Sequence, residues 1–135
     1  MLKYSLFFAV CQVFFLYSAI YAQDNIAVNK KSPKILYGTA SFYAAKFKGR
    51  MTANGETFNH DNLTAACNVL PLGTWIRVTN LRNRRTVLLK VNDRLHPKTK
   101  RVVDLTHFGA QKLNFIKSGL TRVKVEVLGR KKPAN

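Results

Sequence analysis

The sequence predicts a small, closed β-barrel that carries one or two short helices. Short stretches in which apolar and polar residues alternate recur along residues 35–128, as is typical of half-buried strands. Clear helix-start and helix-stop residues occur once, near residue 106. The chain has 135 residues, which suffices for one domain but not two. Closure removes the sheet edges, which would otherwise promote aggregation of so small a domain.

The chain divides into four parts. Residues 1–22 combine a positive start, a mostly apolar run and small residues before Gln23, which is typical of a secretory signal peptide. The apolar run is nearly long enough to cross a bilayer, so an uncleaved membrane anchor is the alternative. Residues 23–34 are polar and predict a flexible linker, residues 35–128 form the barrel domain, and residues 129–135 form a basic tail.

The charge balance indicates a polyanionic partner. The chain has 23 Lys and Arg against 6 Asp and Glu, a formal charge of +17. Because export disfavours nucleic acid as the partner, the remaining anionic candidates are cell-wall glycan with its peptide carboxylates and lipid headgroups. The alternative is that the basic side chains only keep the domain soluble. Cleavage would leave Cys67 as the single cysteine, so no internal disulfide is expected.

Four strands and one helix are predicted from local patterns. The strands cover residues 37–43, 74–79, 86–93 and 122–127, and the segment 81–85 joins two of them as a hairpin turn. In the third strand Val87, Leu89 and Val91 share one face, and in the fourth Val123, Val125 and Val127 do so. The helix has Thr106 as its N-cap, an apolar stripe of Leu105, Phe108 and Leu113, and Asn114 as its stop. A second helical turn is possible over residues 61–66.

Three acidic residues are candidates for chemistry, each with a structural alternative. Asp93 ends a strand on the face of Val91, and a partly desolvated carboxyl at that rim could donate a proton; otherwise it is a turn residue. Asp104 precedes the helix and could instead cap it. Glu56 follows the turn dipeptide Asn54-Gly55 and could be only an exposed hairpin residue.

No metal or cofactor site is predicted. His60, His96 and His107 show no metal-ligand spacing with each other or with Cys67. The sequence also lacks a glycine-rich phosphate loop and a serine nucleophile elbow.

Six motifs follow one another in a specific order: TANGE, LTAA, LPLGT, VTN, VND and VDL. Over about residues 37–128 this series resembles the rare lipoprotein A (RlpA-like) family. The resemblance implies a six-stranded double-psi β-barrel, the architecture of expansin N-terminal domains and barwin. It also implies an endolytic lytic transglycosylase that acts on bacterial peptidoglycan in the periplasm, without a cofactor.

The family's catalytic residues are carried over by motif. They fall on Glu56, Cys67 and Asp93, where Cys67 replaces the histidine that usually follows LTAA. Asp104 matches the aspartate of the DL motif in expansin-like relatives. We expect Asp93 to be the general acid/base and Glu56 to stabilise charge or orient the substrate. The residues expected to line the site or contact substrate are Cys67, Asn54, Thr64, Arg94, His96 and Tyr43.

The implied reaction cleaves the glycan after N-acetylmuramic acid without water. One carboxyl protonates the leaving oxygen and then takes a proton from the muramyl C6 hydroxyl, which closes a 1,6-anhydro ring. The alternative is an expansin-like glycan-binding or wall-loosening module that cuts nothing, which Cys67 favours. A nucleic-acid binder would require a cytoplasmic chain. We expect a monomer with no stable membrane anchor after signal cleavage.

Overall fold

Six strands form a closed barrel in the computed structural model, which describes residues 32–134. This confirms the predicted mainly-β barrel with short helices. The predicted signal peptide, and the linker except for its last three residues, lie outside the described residues. The strands are β1 Ile35–Phe42, β2 Thr64–Ala66, β3 Trp75–Asn80, β4 Thr86–Asp93, β5 Val103–Leu105 and β6 Thr121–Gly129. The helices are a 3-10 turn at Ala45–Phe47 and α1 at His107–Lys112.

The order of strands around the barrel differs from their order in the chain. It runs β1-β5-β2-β4-β3-β6 and closes between β6 and β1. Two of the pairs, β1 with β5 and β2 with β4, are parallel, and the other four are antiparallel. The three-residue strands β2 and β5 therefore lie side by side, and β2 lies across the barrel from β6.

The predicted alternation fills the barrel interior. Val87, Leu89 and Val91 on β4 are buried, as are Val123 and Val125 on β6. Removing one such side chain from water stabilises the fold by about 1.5–3 kcal/mol. Val127 was predicted to face inward with them, but it is only partly buried because it lies near the end of β6.

The predicted helical turn over residues 61–66 is wrong. Thr64–Ala66 is strand β2, which pairs with β4 on one side and β5 on the other. Backbone bonding to two neighbours outweighs the weak helical preference of a three-residue segment. The second short helix lies instead at Ala45–Phe47, and no helix within residues 32–134 is long and apolar enough to cross a bilayer.

Helix α1 begins at the predicted N-cap. The Thr106 hydroxyl accepts a hydrogen bond from the Gly109 N–H at 3.2 Å and donates one to the Asn62 carbonyl. Leu105 was assigned to the apolar stripe of the helix but belongs to β5. After the helix, Asn114 adopts a φ of 53°, the left-handed geometry that ends helices. Thr106 therefore ties the helix to the segment that leads into β2.

We expect Thr106→Ala to lower the free energy of unfolding by about 1–3 kcal/mol. The substitution removes the helix cap, so the Gly109 N–H and the Asn62 carbonyl each lose a hydrogen-bond partner. Thr106→Ser is the matched control, because serine retains the hydroxyl that makes both bonds. Urea unfolding of the two variants measures the difference, and equal losses would contradict the capping role.

Candidate active site

A groove of about 610 Å³ runs over the outer face of the barrel at β2. Its size is in the range of small-molecule sites. Four aromatic residues, three arginines and two carboxylates line it. They are Phe42, Tyr43, Phe47 and Phe58; Arg50, Arg94 and Arg101; and Asp93 and Asp104. The remaining lining residues are Ala44, Met51, Ala66, Leu95, His96 and Thr99.

Two aspartates face each other across Ala66. Strand pairing sets Ala66 opposite Asp93 on β4 and opposite Asp104 on β5. Neighbouring strands lie about 4.8 Å apart, so the two aspartate backbones are separated by roughly 10 Å. Ala66 contributes only a methyl group, so it adds little bulk between the two aspartates.

A β-bulge turns Asp93 toward the groove. Ala65 pairs with Val91 and Ala66 with Asp93, so Asn92 is the extra residue of β4. The period of two had placed Asp93 on the face of Val91, which points into the core. The bulge interrupts that period, and Asp93 shares instead the face of Ala66 and Asp104. The predicted face was therefore wrong, although the rim position was right.

Three donors hold the Asp93 carboxylate. The Tyr43 hydroxyl donates to Oδ2 at 2.7 Å, and the N–H groups of Ala53 and Arg94 donate to Oδ1 at 2.9 and 2.8 Å. A carboxylate offers about four acceptor positions. The position that remains lies on Oδ2, which is therefore the oxygen available to a bound molecule.

Tyr43 is held in its neutral form. Burial, the hydrogen bond to Asp93 and the negative charges of Asp93 and Asp104 all raise the pKa of its hydroxyl well above the ordinary value. Its ring packs on Phe58 at a centroid distance of 4.3 Å and on Phe47 at 5.8 Å. A phenol can donate to a carboxylate and can accept from a carboxylic acid, so Tyr43 can partner Asp93 in either protonation state.

Asp104 is bound by an arginine rather than capping the helix. Arg101 donates from Nε to Oδ1 at 2.8 Å and from Nη2 to Oδ2 at 3.0 Å, a two-pronged pairing. The hydrogen bond with Asp104 raises the pKa of Arg101. Because Thr106 is the cap, the structural alternative for Asp104 does not apply.

Glu56 does not line the groove. It is exposed on the turn, where the Asn54 side-chain amide donates to its Oε1 and its own N–H donates to the Asn54 Oδ1 at 3.1 Å. The Asn92 amide reaches its Oε2 at 3.5 Å. Glu56 therefore ties the turn to the strand residue beside Asp93, and Ala53 of the same turn donates to Asp93.

The six residues predicted to line the site divide evenly. Tyr43, Arg94 and His96 line the groove, while Asn54, Thr64 and Cys67 do not. The Cys67 thiol is buried in the hydrophobic core. Its backbone supports the site, because its N–H donates to the Asp93 carbonyl at 3.0 Å and its carbonyl accepts from the Arg94 guanidinium.

Sequence reasoning missed most of the aromatic and cationic wall of the groove, because it named only Tyr43 and Arg94 among those residues. Lys46 Nζ and the Arg50 guanidinium lie 5.5 and 5.2 Å from the centroid of the Phe47 ring. The interleaved aromatic and basic residues of the segment FYAAKFKGR, just before the TANGE motif, are the signal that could have located this wall. Arg101 showed no comparable signal, because its contact with Asp104 depends on the fold.

His60 does not line the groove but packs behind Phe58, which does. It packs edge-on against Phe58 at 4.8 Å and against His107 at 6.2 Å, and both of its ring nitrogens are buried without a hydrogen-bond partner. Within residues 32–134, no three His, Cys, Asp or Glu side chains come together as metal ligands would.

Sequence comparison relates this chain to enzymes of the bacterial cell wall. The endolytic peptidoglycan transglycosylase RlpA of Pseudomonas aeruginosa strain UCBPP-PA14 is 48% identical over 91 residues, which are 67% of this chain and 27% of that protein. The protein of the same name from Haemophilus influenzae is 39% identical over 107 residues, 79% of this chain and 37% of that protein. The chain thus matches only 27% to 37% of the length of these two relatives.

Two solved structures share the fold. The Streptomyces papain inhibitor superposes with a TM-score of 0.58 at 18% identity, over 72% of this chain and 96% of the inhibitor. A point mutant of the Clavibacter michiganensis expansin, solved with cellohexaose, superposes with a TM-score of 0.56 at 18% identity. That match covers 76% of this chain and 53% of the expansin.

The closed six-stranded barrel and its carboxylate-lined groove define the class of the protein, a double-psi β-barrel of the kind found in expansins. Residues 36–125 match the lytic transglycolase family. The chain belongs to that family, as the order of its motifs predicted.

Tyr43 predicts a dependence of stability on alkaline pH. The folded state holds the Tyr43 proton more tightly than the unfolded state, in which the pKa is about 10. The resulting stabilisation is complete below pH 10 and is lost as the pH rises through the higher pKa of the folded state. Between pH 9 and 11, urea unfolding should show a smaller loss of free energy for Tyr43→Phe than for the unchanged chain.

Tyr37→Phe is the matched control for this experiment. Tyr37 is exposed and does not line the groove, so its replacement should leave the alkaline loss as it is in the unchanged chain. If Tyr43→Phe and Tyr37→Phe behave alike, the raised pKa of Tyr43 in the folded state is wrong.

Proposed function

We propose that this chain is an endolytic lytic transglycosylase that cleaves peptidoglycan between N-acetylmuramic acid and N-acetylglucosamine and leaves 1,6-anhydro ends. The observation that carries the proposal is the pair of aspartates, Asp93 and Asp104, on either side of Ala66 in the groove of a lytic transglycolase family member. The relatives named endolytic peptidoglycan transglycosylases support the choice of polymer.

Asp93 is the general acid/base of the proposed reaction. Its Oδ2 carries the open acceptor position, while both amides that orient the side chain bind Oδ1. In the first step Oδ2 gives its proton to the glycosidic oxygen as the bond to the muramyl carbon breaks. In the second step the same oxygen takes the proton of the muramyl C6 hydroxyl, which attacks that carbon and closes the ring. Tyr43 can remain hydrogen-bonded to Oδ2 through both steps.

Asp104 positions the glycan opposite Asp93. Its pairing with Arg101 uses one acceptor position on each oxygen, so further positions remain for sugar hydroxyls. Its negative charge also lies on the groove wall, where it favours the positive character of an oxocarbenium-like transition state. Glu56 supports Asp93 through the turn and through Asn92, and does not act on the sugar directly.

The aromatic and cationic wall of the groove is the part that binds the glycan in this proposal. Phe47, which is partly exposed, offers apolar surface to sugar rings, and Arg50 and Arg94 add positive charge beside it. Carboxylates on the wall peptides are attracted by these guanidinium groups. The groove therefore suits a sugar polymer that carries negative charge.

The proposed site of action is the periplasm or the cell envelope of a bacterium. The signal-peptide pattern of residues 1–22 supports export, and the excess of basic residues suits a chain that works on an anionic wall. A monomer without a stable membrane anchor after cleavage is part of this proposal.

Asp93→Asn should abolish cutting. The amide cannot donate and then take a proton at Oδ2, so we expect the yield of 1,6-anhydro ends to fall roughly 100-fold or more. Purified sacculi, and glycan stripped of peptides, are digested separately and the ends are measured by mass spectrometry. Asp61→Asn removes an exposed carboxylate that does not line the groove, and its yield should not change. Full yield from Asp93→Asn would refute the assignment.

A second function is favoured by two features of the site. The charge of Asp104 is paired with that of Arg101, and Glu56 stays outside the groove, so the chain could be a glycan-binding or wall-loosening module like an expansin. The expansin solved with cellohexaose shares the fold. Binding to sacculi without any new 1,6-anhydro ends, in the digestion just described, would establish this function in place of the first.

Cys67→Ala should leave activity within about threefold of that of the unchanged chain. The thiol packs in the core and does not line the groove, and the backbone bonds to Asp93 and Arg94 do not depend on the side chain. Deleting one buried sulfur should cost about 1 kcal/mol of stability. The same digestion measures activity, and urea unfolding measures stability. A loss of activity tenfold or more, in folded protein, would mean that the thiol acts in the reaction.

A further inference from the structure

A second concave surface lies beside helix α1, and its Phe115 ring packs against Phe42 of the groove at 5.7 Å. This cleft, of about 710 Å³, is formed between the β3–β4 hairpin and the segment that follows helix α1. The side chains used below are Asn80, Arg82, Asn83, Gln111, Asn114 and Lys117. None of the residues that line the cleft also lines the groove.

The hairpin wall of the cleft and Asp93 of the groove lie at opposite ends of β4. The strand starts at Thr86, directly after the hairpin, and ends at Asp93 in the groove. At about 3.3 Å per residue, its eight residues separate the two ends by roughly 23 Å. A molecule bound in the cleft therefore does not touch Asp93.

The walls of the cleft are held in place by hydrogen bonds. The side-chain amides of Asn80 and Asn83 both donate to the Leu113 carbonyl at 2.9 Å. The Asn80 oxygen accepts from Thr121 at 2.8 Å and from the backbone N–H of Arg82 at 3.0 Å. These bonds join the hairpin to the end of the helix, so the cleft is formed before anything binds.

The charge of the cleft is positive. Arg82 and Lys117 line it, no carboxylate of the described residues does, and Arg84 and Arg85 are exposed on the same hairpin. The two ion pairs found among residues 32–134 involve Arg101 and Lys124, so these four cations form none. Gln111 and Asn114 add exposed amides, which can donate hydrogen bonds to carboxylate oxygens and to hydroxyls.

We propose that the cleft is a second binding site, which takes the carboxylate-bearing peptides of the wall polymer while the groove holds the glycan strand. This inference rests on the proposed function for its choice of polymer. An arginine presents several N–H donors in a fork that matches a carboxylate, and two cations on facing walls would hold a peptide with two acidic groups. The cleft would retain the chain on peptide-bearing wall and contribute nothing on stripped glycan.

The experiment compares binding to two polymers. The full chain carrying Asp93→Asn, which cannot cut, is titrated with solubilised peptidoglycan and, separately, with the same glycan stripped of its peptides. Arg82→Ala with Lys117→Ala is the test pair, since neither side chain makes an ion pair. Arg77→Ala with Lys131→Ala is the control pair, which removes the same charges from exposed positions outside both cavities.

The test pair should weaken binding to peptide-bearing wall roughly three- to tenfold, and added salt should reduce the difference. Binding to stripped glycan should stay within twofold. An equal loss on both polymers, or an equal loss from the control pair, would overturn the proposal. Retention on vesicles of anionic phospholipid through Arg82 and Lys117, with no effect on peptidoglycan, would make the cleft a lipid site instead.

Failure of this inference differs from failure of the proposed function. Release of 1,6-anhydro ends is measured on the chain without Asp93→Asn, and it tests the groove alone. A chain that cuts but shows no loss in the test pair retains the proposed function and lacks the second site. A chain that cuts nothing can still lose binding to peptide-bearing wall in the test pair. In that case the second site is retained, the proposed function is wrong, and the chain is a peptide-binding module.

Discussion

The pairing of Ala66 with two aspartates is the constraint on which the site depends. A three-residue strand, β2, is held between β4 and β5, and its last residue sets the spacing of Asp93 and Asp104. The bulge at Asn92 is what brings Asp93 onto this face, because without it the carboxylate would point toward Val91 and the core. The residue between the two aspartates is small, so it adds little bulk to the groove.

Hydrogen bonds join the turn that carries the TANGE motif to the end of β4. Its Ala53 N–H donates to Asp93, and the N–H of Asn54 donates to the Asn92 carbonyl at 3.1 Å. Glu56 fixes the side chain of Asn54 and reaches Asn92. The glutamate therefore helps to hold the turn whose Ala53 N–H binds Asp93.

Local patterns were most reliable where burial is periodic. The bounds of β4, the buried valines of β4 and β6, and the Thr106 cap all follow from alternation and capping rules. The local patterns gave wrong predictions where contacts between distant segments determine the structure. β2 is too short to carry a pattern of its own, and only its two neighbours make it a strand. The groove wall at Phe47 and the pairing of Arg101 with Asp104 were likewise missed or unassigned.

The sequence by itself determined the closed barrel, the family and the acidic residues that are candidates for chemistry, because alternation, motif order and composition are local properties of the chain. The tertiary structure decided which of those residues meet. It placed Asp93 and Asp104 in one groove, left Glu56 outside it and buried the Cys67 thiol in the core. The physical reason is that strand register and a one-residue bulge determine the direction of each side chain, and both depend on partners far away in the sequence.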